Sequence, residues 1–180
     1  MNWTYRGTCW RFGDNIGIDG DMMPLRFALE RETDPMVLRD HLFTALDPDF
    51  PKKVKPGDIV VGGRRFAQGN PHIQGFLGMA GHGLGLVAES IPRGSYRNAI
   101  NAGLPFMSGC EGVGALCETG DELEVDFAAG TFRNLTSGRE RAYEPLPETL
   151  RAIIAAGGWE PSLRLRLAAS RTGGTRTGST

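Results

Sequence analysis

The chain has 180 residues, with 20 Lys+Arg against 21 Asp+Glu and a formal net charge of −1. That balance argues against a nucleic-acid binder working through a basic surplus. With 40% hydrophobic and 23% charged residues it is a folding composition, long enough for one domain and lacking the roughly 20-residue apolar run of a membrane span.

Residues 4–12 (TYRGTCWRF) are rich in β-formers and predict an opening strand. The Gly- and Asp-dense loop GDNIGIDGDMMP follows and ends at Pro24. Asp34-Pro35 reads as an N-cap with proline at the first helical position, predicting a helix to about Phe43. Pro48, Pro51 and Pro56 punctuate a connector, and residues 58–61 (DIVV) form a short strand of buried type. Residues 62–71 (GGRRFAQGNP) exclude regular structure. His72 to Ala80 can be helical, though Gly75 and Gly78 weaken the pattern, and Gly81-His82-Gly83 stops it. Residues 84–88 predict a second buried strand, which completes a βαβ unit with parallel strands. A helix over Ser95–Ala102 ends at Gly103, and short strands are expected near 113–117 and 122–127. Pro147 to Ala156 predicts an amphipathic helix closed by Gly157-Gly158. The low-complexity segment from Ala168 predicts a disordered tail, so the expected organisation is one domain over 1–167 with a tail over 168–180.

Glycine is the outlier, with 26 residues, about 14% where about 7% is usual. The excess is either flexible filler or a set of tight turns and close approaches to a ligand. Cysteines are few and odd in number (Cys9, Cys110, Cys117), which fits a reducing cytoplasm better than a disulfide framework. Met1 to Arg6 lacks the apolar core of a secretory signal. Cys110-x6-Cys117 is not a zinc or cluster spacing, and no metal is expected on this chain.

Two motifs fail on inspection. Residues 15–20 have the rhythm of a calcium-binding EF-hand, but the twelfth position is Arg26 where a carboxylate is required. Gly81-x-Gly83-x-Gly85 follows a helix and enters a strand, the reverse of a dinucleotide-binding loop.

Loop 62–71 leaves the carboxyl end of a strand and enters a helix, the place where open α/β sheets bind ligands. Amides at 72–74 with the helix dipole, together with Arg64 and Arg65, would suit a small carboxylate or phosphate. Gln68, Gly69 and Asn70 complete the candidate substrate-binding set. His72 is the candidate general base, since a neutral imidazole can accept a proton near neutral pH. A solvated turn capped by His72 is the alternative reading. His41 and His82 read as structural.

Several segments resemble the small subunit of 3-isopropylmalate dehydratase, a swivel domain of aconitase type. Residues 13–27 (GDNIGIDGDMMPLRF) are similar to that family's "GDNIDTDQIIPARF", and residues 57–63 (GDIVVGG) to its strand before the active loop. Ala88-Glu89-Ser90 and residues 96–105 (YRNAINAGLP) are similar to "AESFARIFYRNAINNGLP". Gly157-Gly158-Trp159 resembles the family's closing helix end. The resemblance implies an α/β fold, the β/β/α swivelling domain, paired with a large iron–sulfur dehydratase subunit. That partner would carry a [4Fe–4S] cluster whose open iron takes the hydroxyl of a small carboxylate substrate while a base removes a proton. From the charge balance and the lack of a long apolar run, no nucleic acid and no membrane are expected as partners.

The active loop departs from that pattern. The family reads "NFGCGSSREHA", with the second serine as base and the arginine on substrate carboxylate. Pro71 stands at that serine and His72 at that arginine, so the usual base is missing. Three readings follow: a divergent hydro-lyase subunit with His72 as base or carboxylate donor, a subunit that shapes a site whose chemistry lies in its partner, or a scaffolding protein that kept only the fold.

Overall fold

The computed structural model describes residues 1–173. Thr4–Arg11 (β1) lies in the middle of a seven-stranded sheet, with Ile59–Gly62 (β2) on one side. Beyond β2 lie Gly85–Ala88 (β3) and Phe106–Ser108 (β4), all parallel: Cys9 pairs with Ile59, Val60 with Leu86, and Leu86 with Phe106. On the other side the sheet becomes antiparallel through Glu122–Asp126 (β5), Thr131–Asn134 (β6) and Glu140–Ala142 (β7). The order is β4-β3-β2-β1-β5-β6-β7.

β2 and β3 are buried at every position, which is why they read as unbroken apolar runs. Alternation then divides two cores. Val60, Leu86, Ala88 and Phe106 face one that holds Phe43, Phe50, Phe76 and Met79. Ile59, Val61, Val87 and Met107 face a second, closed by Leu123, Val125 and Phe132 of the antiparallel half. Asp58, only 3% exposed, joins β1 to β2: its carboxylate accepts from the Thr8 and Lys55 amides and the Trp10 indole at 2.8–2.9 Å.

The helices are short: Arg26–Leu29 (α1), Pro35–Leu38 (α2), Phe50–Lys53 (α3), Gln74–His82 (α4), Arg93–Asn101 (α5) and Glu148–Ala155 (α6). A longer one, Trp159–Gly173 (α7), follows. No helix among the described residues is long and apolar enough to cross a membrane. α4 connects β2 to β3, so the parallel βαβ unit forms as expected. Gly75 and Gly78, which weaken the helical pattern, and Gly81, expected to stop it, lie three residues apart on one face of α4, which runs on to His82 and ends at left-handed Gly83. A Cβ on Gly75 would sit 3.0 Å from the Met22 side chain, one on Gly78 3.3 Å from the Leu38 carbonyl, and one on Gly81 against the Pro35 carbonyl. The missing side chains let α2 and the 22–23 segment lie directly on α4.

Four expectations change. The helix expected over 35–43 is α2 followed by a 3-10 turn at Arg39–His41, and it stops because Leu42 is extended and Phe43 left-handed (φ 55°). The strand expected near 113–117 is a 3-10 turn at Val113–Ala115, set by left-handed Gly112 (φ 75°). Its buried residues, Val113 and Cys117, are four apart rather than two. The helix after the glycine-rich loop begins at Gln74, which leaves His72 outside it. The segment from Ala168, expected to be a disordered tail, carries α7 on to Gly173. Good helix formers at 163–169 and the Glu160–Arg164 ion pair one turn apart (2.6 Å) extend it. Residues 174–180 of that expected tail lie outside the described residues.

Candidate active site

Two loops, 13–23 and 62–73, build the site by pairing with each other. Arg64 N donates to Asp14 Oδ1 (2.7 Å), Gln68 N to the Ile16 carbonyl (2.9 Å) and Ile18 N to the Gln68 carbonyl (2.8 Å). Arg65 N and Phe66 N donate to Ser90 Oγ and O, which ties the second loop to the end of β3. Asn15, Arg65 and Ala67 hold φ of 62°, 53° and 63°. Left-handed backbone at non-glycine residues costs energy, and its concentration in one loop pair points to function.

α5 supports the loop from behind. Ser95 Oγ donates to the Ala67 carbonyl, Asn98 Nδ2 donates to the Pro71 carbonyl, and Gly94 leaves room for the Pro71 ring. Asn98 of the family-like YRNAIN segment and the two residues just before that segment therefore position the loop.

His72 is brought together with Asn70 and with Asp19, a residue the sequence reading did not select. His72 Nδ1 lies 2.8 and 2.9 Å from the two Asp19 carboxylate oxygens, and Nε2 lies 3.4 Å from Asn70 Nδ2. Both side chains of this hydrogen-bonded pair are mostly covered, His72 30% and Asp19 26% exposed. The partners are 53 residues apart, so no local spacing could reveal them. The only hint was the acidic density of residues 14–21.

The other candidates divide. Arg65 Nε donates to Asn15 Oδ1 (2.8 Å), which orients its guanidinium. Gln68 Nε2 donates to the Asn15 carbonyl (2.9 Å) and so holds the loop pair. Gly69 takes φ 106° at the turn into Asn70. Arg64 shares its charge between Asp14 (3.4 Å) and Glu89 (3.9 Å) and lines a cleft of about 520 Å³ at the carboxyl ends of β2, β3 and β4. The His72 amide is already bonded to the Asn70 carbonyl (2.8 Å), so it does not join the amides expected to face an anion.

His82 is held by a backbone carbonyl. Its Nε2 lies 2.8 Å from the Arg39 carbonyl, and burial lowers its pKa. His41 packs on Phe27, with ring centroids 4.7 Å apart. The cysteines do not fit an iron–sulfur centre. All three are free and buried, and burial pushes the Cys110 thiol up to about 12. Among the described residues no three His, Cys, Asp or Glu side chains are grouped to hold a metal.

No family profile matches the chain. It is 42% identical over 167 residues to the isopropylmalate/citramalate isomerase small subunit of Methanocaldococcus jannaschii, across 92% of this chain and 97% of that protein. The chain belongs to the 3-isopropylmalate dehydratase small-subunit family. A second relative of that family, the 3-isopropylmalate dehydratase small subunit of Pyrobaculum calidifontis, is 43% identical over 154 residues (85% of this chain and 92% of that one). The crystal structure of a 3-isopropylmalate dehydratase from Methanocaldococcus jannaschii superposes with a TM-score of 0.82 at 30% identity, covering 95% of this chain and 99% of that one. The aconitase-type swivel fold is thus the one observed. Membership in a family of dehydratase small subunits does not favour the scaffolding reading.

Proposed function

We propose that this chain is the small subunit of a heteromeric hydro-lyase acting on a small hydroxy di- or tricarboxylate, and that His72 is its general base. The observation that carries the reading is His72 itself: partly exposed, in the loop where the family keeps its base, with Nε2 beside the Asn70 amide. Nε2 takes the proton from the carbon α to a carboxylate, hydroxide leaves the neighbouring carbon, and the double bond forms between them. Hydration runs the same steps backwards. Arg65, oriented by Asn15, and Asn70 are the carboxylate-binding groups on this side of the site. A [4Fe–4S] cluster in the large subunit would supply Lewis acidity toward the departing hydroxyl.

The relatives set the first substrates to try, 3-isopropylmalate and citramalate. Co-expressed with its cognate large subunit under anaerobic conditions, the chain should co-purify and generate the ultraviolet absorbance of an unsaturated acid from one of them or a close homologue. His72→Ala should lower kcat by at least about 10²-fold, the usual contribution of a positioned base. Unchanged turnover in that variant would end the proposal for His72.

A further inference from the structure

We propose that Asp19 is the positioning residue of this site, holding His72 in the tautomer that places its basic nitrogen, Nε2, toward the substrate. The inference rests on the reading of His72 as base and adds what makes it one. An ionised carboxylate only accepts hydrogen bonds, and both Asp19 oxygens lie within 2.9 Å of Nδ1. The proton of a neutral His72 must therefore sit on Nδ1, because the other tautomer would set the Nδ1 lone pair against carboxylate lone pairs. Nε2 then carries the free lone pair, and the neighbour it meets is a donor, the Asn70 amide at 3.4 Å. Three residues agree on one proton arrangement.

The backbone fixes Asp19 as firmly as His72. Asp19 pairs with Met23 in a β-bridge, and Gly20 N donates to the Met23 carbonyl (2.9 Å). Asp21 is occupied differently, accepting from Gly17 N at 2.8 Å. Gly17, two residues before Asp19, pairs with Gln68, four before His72. The pairing of the two loops is thus what sets carboxylate against imidazole. Asn70, weakly bonded and exposed, occupies in the resting site the place beside Nε2 where the substrate's C–H must come. It has to turn aside on binding, and its amide is then available to a substrate carboxylate.

The test uses the complex with its large subunit and the substrate identified above. Asp19→Asn should lower kcat by about 10²-fold, within the range of a lost base, while KM stays within about twofold. Nitrogen NMR of the full-length chain with labelled histidine should show neutral His72 protonated on Nδ1, and Asp19→Asn should add a population protonated on Nε2. Asp19→Glu, which keeps an acceptor within reach, should recover part of the rate. Unchanged kcat in Asp19→Asn overturns the proposal, as does wild-type His72 protonated on Nε2. The spectrum of the wild-type chain decides even if the variants fold poorly. If His72→Ala lowers turnover and Asp19→Asn does not, positioning by Asp19 fails alone. If His72→Ala is fully active, the reading of the base fails first.

Discussion

His82 shows how far burial sets the behaviour of a single side chain here. It ends α4 partly covered, hydrogen-bonded to the Arg39 carbonyl, and burial holds its pKa below the ordinary 6.5. The folded chain therefore takes up this proton less readily than the unfolded one. The contribution of neutral His82 to stability is fully present above about pH 6.5 and declines as pH falls from there toward the lower folded value. Urea midpoints should drop between about pH 7 and pH 5. His82→Gln, which keeps a donor for the carbonyl, should reduce that drop, and an equal drop in both proteins would show that other groups carry it. His82 and His41, which the sequence suggests are structural, are packed side chains, His82 against the Arg39 carbonyl 43 residues away and His41 on Phe27, whereas His72 lies in the loop. What the sequence did not reveal was Asp19, because a pair 53 residues apart is made by the pairing of two loops and by nothing local to either.

Among elements, the legible ones were those whose burial alone identifies them. β2 and β3 are covered on both faces and read as apolar runs, and the glycine-rich loop between β2 and α4 could be nothing regular. β7 is exposed at all three positions and β4 is three residues long, so neither leaves a pattern; pairing with strands already in place creates them. α4 was legible but undervalued, since its glycines lower helix propensity and are retained for contact with α2. The ends of α5 and α6 use glycine in the same way. Gly158 takes φ 109°, and a Cβ there would overlap the Asn101 carbonyl at the end of α5. Gly158→Ala combines a strained backbone with that overlap and should cost at least about 2 kcal/mol. Loss of this magnitude would show as a lower urea midpoint with unchanged slope, while a neutral variant would mean that the two helix ends separate easily.

For the whole molecule, the two cores divide the labour. The helical side carries the loops that form the site, and the antiparallel half covers the opposite face of β1, β2 and β3 with Leu123, Val125 and Phe132. Removing the antiparallel half should thus damage the site without touching it. A chain ending before Glu122, which also loses Leu146 and Ile154 from the helical-side core, exposes Cys9, Ile59, Val61 and Val87 together with one long edge of β1, and such surfaces associate. It should be recovered in aggregates, whereas a chain ending after Gly173 should stay in solution; a soluble, monomeric short form would mean the parallel half is self-sufficient.

The central place of β1 also has a consequence in time. The first strand made is the fourth in the sheet, and its partner β5 is encoded about 110 residues later. At roughly 5–20 residues per second, synthesis leaves β1 without that neighbour for several seconds or more. Closing so long a loop is slow even after release. Refolding from denaturant should consequently be governed by the docking of β5 on β1. In the cell, the vulnerable period of this protein falls while it is still attached to the ribosome.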